Sequence, residues 1–363
     1  MRHRFHSICP YFAMFPEQFV QKHLIWSKPG DVVLDPFVGR GTTVFQALLE
    51  DREAIGGDVN PVAVCVSRAK ASAPPLSRVL RRIHELEDAF DPRRAAPYPG
   101  LRDFFATCFH TATWKQIRYL QANLGWRQTA TDAFITALLL GALHGESHKT
   151  EWCLSNRMPR TISTKPAYSV RWWRAGEHIA PKRDAFEILR ELAVYRYASQ
   201  APTRKGVVVQ SDARKLGKRL PEYAGRVTLM VTSPPYLDTT NYREDQWLRL
   251  WFLEDRLPET SRRSRDDRHR AAENYWQFLS EAWAGVAPFL ASKAHLVIRI
   301  GGKRVSQTEA RTKLTQSLRG ALKRRVRLAD EWSSTIVGGQ LHSFRPGAAG
   351  TKVEHDFHFV VDR

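Results

Sequence analysis

The sequence has few cysteines, and they lie far apart. They are Cys9, Cys65, Cys108 and Cys153. None forms a CxxC pair, which argues against a zinc site of the usual spacing and against a disulfide framework. His144 and His148, four residues apart with Cys153 nearby, are the alternative metal ligands, but we expect them to cap or pack the end of a helix. We therefore predict no metal centre.

The sequence also contains no hydrophobic run long enough to span a bilayer. The longest such run, Phe134 to Leu143, is about half the necessary length. The N-terminal Met1-Arg2-His3-Arg4 leads into polar and aromatic residues, without the apolar core of a signal sequence. We expect a soluble protein of the cytoplasm.

Acidic residues are scarce relative to basic ones. The 37 Asp and Glu residues face 56 Lys and Arg residues, which gives a net charge of +19. An excess of this size predicts a polyanionic partner, most commonly nucleic acid, although basic charge can also serve solubility alone. Eleven tryptophans among many arginines favour nucleic acid, because bases stack on indole and guanidinium planes.

The first part of the chain has the pattern of a nucleotide-binding βαβ unit. The predicted elements are a helix from Glu17 to Trp26, a buried strand from Val32 to Asp35, a helix from Val44 to Asp51 and a strand from Ala54 to Asp58. The loop after the first strand has Gly39-x-Gly41 but no dinucleotide G-x-G-x-x-G. Asp35 adds a carboxylate that would repel a pyrophosphate, whereas Asp58 lies where ribose hydroxyls usually bind. A cationic nucleoside such as S-adenosylmethionine fits this loop better than a dinucleotide.

A long gap separates the second strand from the third, Val207 to Gln210, so we predict a mostly helical insert over residues 74–205. Residues 1–73 and 206–363 then form the other domain. Within the insert the predicted helices are Leu76 to Phe90, Thr113 to Leu124, Thr131 to Leu143 and Asp184 to Tyr197, with a loop from Ser155 to Lys182. Later helices are Trp247 to Leu253, Tyr275 to Leu290 and Gln307 to Lys323, with strands at Val227 to Val231 and His295 to Ile300, a closing antiparallel pair at Arg327 to Val337 and Glu354 to Val361, and a charged loop at Asp255 to Arg270.

The run Thr232-Ser233-Pro234-Pro235-Tyr236 directly follows one of these buried strands. Proline cannot continue a sheet ladder, so the chain must leave the sheet at the carboxyl end of the strand, where ligands bind in open α/β sheets. The Ser233 hydroxyl and the Pro234 carbonyl are then a stiff pair of acceptors beside an aromatic face, Tyr236. Such a cluster suits a flat group that carries an NH2. Alternatively, it is an ordinary proline-rich exit from a strand.

Two motifs together resemble those of the DNA amino-methyltransferases. Asp35-Pro36-Phe37-Val38-Gly39-Arg40-Gly41-Thr42-Thr43 resembles their cofactor motif, and Thr232 to Tyr236 resembles their catalytic motif. The resemblance implies a Rossmann-like α/β methyltransferase fold, with a mostly parallel seven-stranded sheet and a C-terminal antiparallel pair. It also implies S-adenosylmethionine as the cofactor. The cofactor contacts that it implies are Phe15, Asp35, Pro36, Phe37, Gly39, Gly41, Thr42, Thr43, Asp58, Asn60 and Asp212. For Asp212, a helix N-cap is an equally weighted alternative.

The resemblance implies methyl transfer to the exocyclic amine of a base that is flipped out of double-stranded DNA. The catalytic residues would be Ser233, Pro234, Pro235 and Tyr236, with Tyr236 stacking on the base. A serine at position 233 is more typical of the cytosine N4 enzymes than of the adenine N6 enzymes. We therefore expect N4-cytosine transfer, with N6-adenine as the alternative. RNA guanine-amino transfer and a non-catalytic nucleic-acid-binding module are the other hypotheses.

Basic and aromatic residues alternate between positions 156 and 174, which predicts contacts to DNA. The candidates are Arg157, Arg160, Lys165, Tyr168, Arg171, Trp172 and Arg174, with Asn241 and Tyr242 at the base pocket. The alternative is a solvated loop that its tryptophans anchor to the helices. We expect a nucleoid-associated protein. The sequence leaves open the recognised site and whether a restriction or defence system accompanies it.

Overall fold

The structure is a computed structural model that describes residues 2–11, 15–237, 242–257, 272–301, 305–335 and 353–363. The chain forms two compact units. The sheet unit comprises Phe15–Asn60, Thr203–Asn241 and Arg263–Arg363, and the helical unit comprises Met1–Met14, Pro61–Pro202 and Tyr242–Arg262. The functional division into residues 1–73 with 206–363 and an insert of residues 74–205 stays a prediction.

The sheet unit is built on seven strands. These are β1 (Val32–Asp35), β2 (Glu53–Asp58), β3 (Val207–Gln210), β4 (Val227–Thr232), β5 (Leu290–Gly301), β6 (Arg325–Thr335) and β7 (Val353–Asp362). Their order in the sheet is β3-β2-β1-β4-β5-β7-β6. The first five are parallel, whereas β7 runs antiparallel to both β5 and β6. The predicted Rossmann-like α/β fold with a C-terminal antiparallel pair is confirmed.

Helices of the sheet unit are α1 (Glu17–His23), α2 (Thr42–Leu49), α10 (Leu216–Arg219), α13 (Ala272–Val286) and α14 (Gln307–Leu322). The buried faces of α13 and α14 pack with the sheet in one apolar core, which includes Leu34, Met230, Leu296 and Phe357. Burying this much apolar surface is the dominant stabilising term of such a unit. The unbroken burial of β1 explains why its sequence is a continuous apolar run rather than an alternating one.

The helical unit contains the other α-helices of the described residues. They are α3 (Pro61–Ala71), α4 (Leu76–Asp88), α5 (Arg102–Cys108), α6 (Thr111–Asn123), α7 (Ala130–Ala142), α8 (Pro166–Ala175), α9 (Ala185–Tyr197), α11 (Tyr242–Asp245) and α12 (Trp247–Glu254). Its core is aromatic: the rings of Trp114 and Trp251 stack at 5.5 Å, and Phe105 lies 4.6 Å from Trp251 between ring centroids. The predicted loop from Ser155 to Lys182 is wrong in its middle, because α8 occupies that part.

A buried arginine on α12 joins four segments of the helical unit. The guanidinium of Arg249 donates to the carbonyl oxygens of Leu140 (2.9 Å), Pro10 (2.9 Å) and Arg160 (2.8 Å), and to Oε1 of Gln246 (2.6 Å). The side chain has no exposed surface, and burial lowers the pKa of the guanidinium from its usual value. The planar fork of arginine is the side chain that can satisfy so many acceptors at once.

His144 is buried and contacts the Pro159 carbonyl at 2.9 Å and the Ser163 hydroxyl at 3.2 Å. His144 therefore packs against the chain, as expected, whereas His148 is exposed. All four cysteines are free and buried. Within the described ranges no group of three or more metal-ligating side chains occurs. No described helix has the length and apolarity needed to cross a membrane.

Candidate active site

The glycine loop between β1 and α2 is shaped by two residues with positive φ. Gly39 has a φ of +48° and Gly41 a φ of +78°, a backbone region that side chains with a Cβ rarely adopt. The amide of Gly39 donates to Oδ2 of Asp58 at 3.0 Å, and the amide of Asn60 donates to Oδ1 at 2.9 Å. Asp58, at the end of β2, thus holds the loop in place. Burial raises the pKa of Asp58.

Asp35 ends β1 and is almost fully buried. Its Oδ1 accepts hydrogen bonds from the hydroxyl of Thr232 at 2.7 Å and from the amide of Phe37 at 3.1 Å. Burial raises the pKa of this carboxyl to about 6, and the hydrogen bonds oppose that rise. The charge of Asp35 therefore changes close to physiological pH.

The catalytic-motif segment begins where β4 ends. Since β4 is the sheet neighbour of β1, the two carboxyl ends lie side by side, and the bond from Thr232 to Asp35 joins them. Thr43, in the first turn of α2, adds a second link because its hydroxyl donates to the carbonyl of Val231 at 3.0 Å. Ser233 and Pro235 are half-buried and Pro234 is buried. The structure thus brings the two predicted motifs together at one edge of the sheet.

Tyr236 is half-buried, and its hydroxyl group makes a hydrogen bond. The hydroxyl donates to Oε1 of Glu354 at 2.6 Å. Burial and the Glu354 carboxylate raise the pKa of Tyr236 well above its usual range. A Cβ atom at Gly301 would overlap the tyrosine ring, so the ring lies directly against the backbone at the end of β5. The motif alone indicated neither of these partners.

Other predicted cofactor contacts lie in the same sheet unit. Phe15 is buried, with its ring 5.1 Å from that of Phe19. Phe37 is half-buried and lies 5.9 Å from Phe278. Pro36, Thr42, Thr43 and Asn60 are all buried around the glycine loop.

Asp212 has the N-cap role that was the alternative for it. Its Oδ1 accepts from the amide of Arg214 at 3.0 Å, and its Oδ2 accepts from the Arg214 guanidinium at 2.7 Å. Contact with a cofactor remains a prediction for this residue. Arg40 in the glycine loop is buried, with Nε 3.3 Å from the Thr42 hydroxyl, and does not point outward.

The predicted DNA contacts of the helical unit are exposed, and most of them lie on or beside α8. The exposed members are Arg157, Arg160, Lys165, Tyr168, Arg171, Trp172 and Arg174. On α8 itself, Tyr168, Arg171 and Trp172 follow helical spacing, whereas Val170 and Trp173 face the core. Asn241 and the side chain of Tyr242 lie outside the described residues.

The fold is a Rossmann-like α/β fold that carries both predicted motifs at the ends of neighbouring strands. Residues 3–67 match a family model described as DNA methylase. This match confirms the resemblance to the DNA amino-methyltransferases over the segment that carries the glycine loop. It also supports S-adenosylmethionine, the predicted cofactor.

Two curated proteins are similar over short segments. The orphan methyltransferase M.BamHII of Bacillus amyloliquefaciens is 45% identical over 49 residues, which is 13% of this chain and 18% of that protein. The type II methyltransferase M.Cfr9I of Citrobacter freundii is 38% identical over 72 residues, which is 19% of this chain and 24% of that protein. The chain therefore spans about a fifth to a quarter of the length of these relatives.

Among solved structures, the rRNA methyltransferase aviRa from Streptomyces viridochromogenes aligns over 99% of this chain and 93% of its own. The identity is 11% and the TM-score 0.35.

The raised pKa of Asp35 predicts a pH dependence of cofactor affinity. Above pH 6 the buried carboxylate is ionised and its charge favours a cation at the adjacent loop, because a low-dielectric interior screens charge weakly. Affinity for S-adenosylmethionine should fall up to about tenfold as pH drops from 7.5 to 5. Calorimetric titration at several pH values measures this change. Asp35→Asn should flatten the dependence of affinity on pH. Glu222→Gln, which changes an exposed site of the same unit, should leave that dependence unchanged. An affinity of the unmodified protein that does not vary with pH would contradict the prediction.

Proposed function

We propose that the chain is an S-adenosylmethionine-dependent DNA methyltransferase that modifies the exocyclic amine of a flipped base. The main support for this proposal is that the two motifs lie next to each other. The cofactor-type loop and the serine-proline-proline turn leave neighbouring parallel strands at the same edge and are joined by the bond from Thr232 to Asp35. A methyl donor and an acceptor amine need that proximity, because in-line displacement depends on the approach of the two reacting atoms.

The residues around the glycine loop fit S-adenosylmethionine rather than a dinucleotide. The two positive-φ glycines leave room for a close backbone approach, and Asp58 retains lone pairs beyond the amide hydrogen bonds that it accepts. The buried carboxylate of Asp35 disfavours a phosphate and favours the positive charge of this ligand. When bound, the cofactor supplies an electrophilic methyl group. Asp35, Pro36, Phe37, Gly39, Gly41, Thr42, Thr43, Asp58 and Asn60 would hold it, with Phe15 and Asp212 as further contacts.

The catalytic turn supplies acceptors for the amine. The lone pair of an exocyclic amine is delocalised into the base, so the protein must make it available. The Ser233 hydroxyl and the Pro234 carbonyl can each accept one N–H and hold the nitrogen with its lone pair directed at the methyl carbon. Neither group is a useful general base, so their contribution is positioning and polar preorganisation. Pro234 and Pro235 keep this turn rigid.

We further propose cytosine N4 as the target atom, because serine at position 233 favours it, with adenine N6 as the alternative. To test the function, purified protein is incubated with radiolabelled S-adenosylmethionine and duplex DNA, then with RNA, and the products are digested to nucleosides. Label in N4-methylcytosine is the expected result. Label in N6-methyladenine would overturn the choice of base. Label in RNA alone, or none despite cofactor binding, would overturn the proposed activity.

The exposed face of α8 is our candidate for DNA contact. Tyr168 and Trp172 are 53% and 44% exposed beside Arg171, an arrangement unusual for aromatic side chains that serve only the core. Arg157, Arg160, Lys165 and Arg174 add charge around it. Cations bind phosphates and aromatic rings stack on bases, so this face has the chemistry of a nucleic-acid surface. The net charge of +19 supports the same partner.

Arg171→Ala should weaken DNA binding at low salt and lower the slope of log affinity against log salt concentration by about 1, because one phosphate contact is lost. Fluorescence anisotropy across a salt series measures both effects. Arg93→Ala is the matched control, since Arg93 is an exposed arginine of the same unit that pairs with Asp91. Equal salt slopes for the two variants would show that Arg171 is not part of the DNA interface.

A further inference from the structure

Glu354 lies near the start of β7, opposite Gly301 of β5. Its carboxylate has two partners, one for each oxygen. Oε1 accepts from the hydroxyl of Tyr236 at 2.6 Å, and Oε2 accepts from Nη1 of Arg299 at 2.9 Å. Only 16% of the side chain is exposed, so both hydrogen bonds are largely shielded from competing water.

Arg299 holds the carboxylate oxygen of Glu354 that Tyr236 does not bind. Its Nε and Nη2 bind the two oxygens of Asp356 at 2.6 and 2.8 Å, a bidentate pair in which the Asp356 side chain is fully buried. The guanidinium also lies 4.0 Å above the ring of Phe19. With its arginine partner held at three points, the Glu354 carboxylate has little freedom to turn away from Tyr236.

The ring of Tyr236 is held as firmly as its hydroxyl. It occupies the space that a Cβ atom would take at Gly301, and Gly301 is the residue that pairs with Glu354 across the strands. The pairing of β5 with β7, the missing Cβ of Gly301 and the carboxylate of Glu354 thus all hold Tyr236 in place.

The order of these groups determines the direction of the hydrogen bonds. An ionised carboxylate only accepts, so Tyr236 must give its one hydroxyl hydrogen to Glu354. The Tyr236 oxygen can then only accept from a further partner, and the Ser233 side chain opposes the rise in the pKa of Tyr236, as a hydroxyl that donates to this oxygen would. A Ser233 hydroxyl that turns toward Tyr236 must therefore donate to it, and the serine oxygen keeps lone pairs that can accept from another donor.

We propose that Glu354 is a positioning residue that sets the direction of the chain from Ser233 through Tyr236 to Glu354, so that Ser233 presents an acceptor to an N–H of the target amine. This inference rests on the amine transfer proposed above. Without Glu354, the tyrosine hydroxyl can turn and donate to Ser233, whose own hydrogen then points at the amine. In that arrangement the serine hydroxyl and the amine N–H are both donors, so Ser233 no longer holds the amine.

A double-mutant cycle tests the proposal. Glu354→Ala should lower kcat/KM for DNA methylation roughly 10- to 100-fold, chiefly through kcat, because a misplaced acceptor affects the reacting geometry. In a Tyr236→Phe background, where the chain is already broken, the same change should alter kcat/KM less than about twofold. Equal losses in the two backgrounds would overturn the proposal. Single-turnover measurements keep the slow variants readable.

Two further variants separate positioning from stability. Glu354→Gln keeps the size of the side chain but replaces one of the two acceptor oxygens with an NH2 donor, so that Tyr236 or Arg299 loses its acceptor and we expect an intermediate loss. Glu222→Ala, at an exposed acid of the same unit, should leave kcat/KM unchanged. Affinity for S-adenosylmethionine should be unchanged in both. An unimpaired Glu354→Gln would contradict the need for a carboxylate.

A spectroscopic readout is independent of activity. In protein labelled with 3-fluorotyrosine, the resonance that disappears in Tyr236→Phe belongs to Tyr236. In Glu354→Ala and Glu354→Gln this resonance should shift and begin to titrate at lower pH, whereas Glu222→Ala should leave it in place. An unmoved resonance would show that Glu354 does not hold the tyrosine. If the unmodified protein transfers no methyl group, both the proposed function and the proposed role of Ser233 at the amine are wrong. The fluorine shift would still show whether Glu354 orients Tyr236.

Discussion

Ser233→Ala is expected to lower methyl transfer to DNA at least 100-fold while affinity for S-adenosylmethionine stays within about twofold of the unmodified protein. In the proposed mechanism the hydroxyl oxygen is one of two acceptors that hold the target amine, and its loss leaves only the Pro234 carbonyl. The half-buried position of Ser233 at the end of β4 leaves it accessible to a substrate. Single-turnover transfer from radiolabelled cofactor measures the rate, and calorimetry measures the affinity.

The control for this variant is Ser292→Ala, which removes an exposed hydroxyl of the same unit and should leave the rate unchanged. If Ser233→Ala retained the full rate, the amine grip would be wrong even though methyl transfer itself could stand. If cofactor affinity fell together with the rate, the serine would act on the cofactor site rather than on the amine.

Arg249→Met should destabilise the helical unit by about 3 kcal/mol, because removal of a buried guanidinium leaves several buried acceptors without a donor. The acceptors are the carbonyls of Leu140, Pro10 and Arg160 and the amide oxygen of Gln246. Arg249→Lys should cost less, since an ammonium keeps the charge but cannot reach all four. Chemical unfolding, followed by tryptophan fluorescence, measures the free energy of unfolding.

The matched control for Arg249 is Arg256→Met, which changes an exposed arginine a short distance along the chain and should shift stability by less than about 0.5 kcal/mol. An equally small loss for Arg249→Met would mean that water or backbone rearrangement satisfies the four acceptors.

Strands were well predicted from the sequence, because buried parallel strands are continuous apolar runs that end at turn residues. β3 has the predicted bounds, and β1 ends at Asp35 as expected. The helices α5 and α8 were missed. In α8 the polar and aromatic exposed side dominates the composition, although Pro166 at its first position and the buried Val170 and Trp173 were a usable signal. The seven-residue α5 is too short to show helical periodicity.

The candidate site was predictable only where its residues are adjacent in the chain. The glycine loop and the catalytic turn are local motifs, so their residues could be named in advance. Glu354 and Gly301 could not, because their contacts with Tyr236 depend on the register of β5 against β7, and neither could Arg299, which binds Glu354. Register is set by the packing of a whole strand, and a one-residue slip would have turned Glu354 to the opposite face.

The hydrogen bond from Thr232 to Asp35 also bears on how the two loops fluctuate. Each loop is tied to a strand, and the strands are tied to each other at the point where the loops begin. We therefore expect the two loop bases to move together, so that the gap between them varies less than it would between two independent loops. A donor and an acceptor placed on these loops would meet at a nearly constant separation, with little conformational search at each turnover.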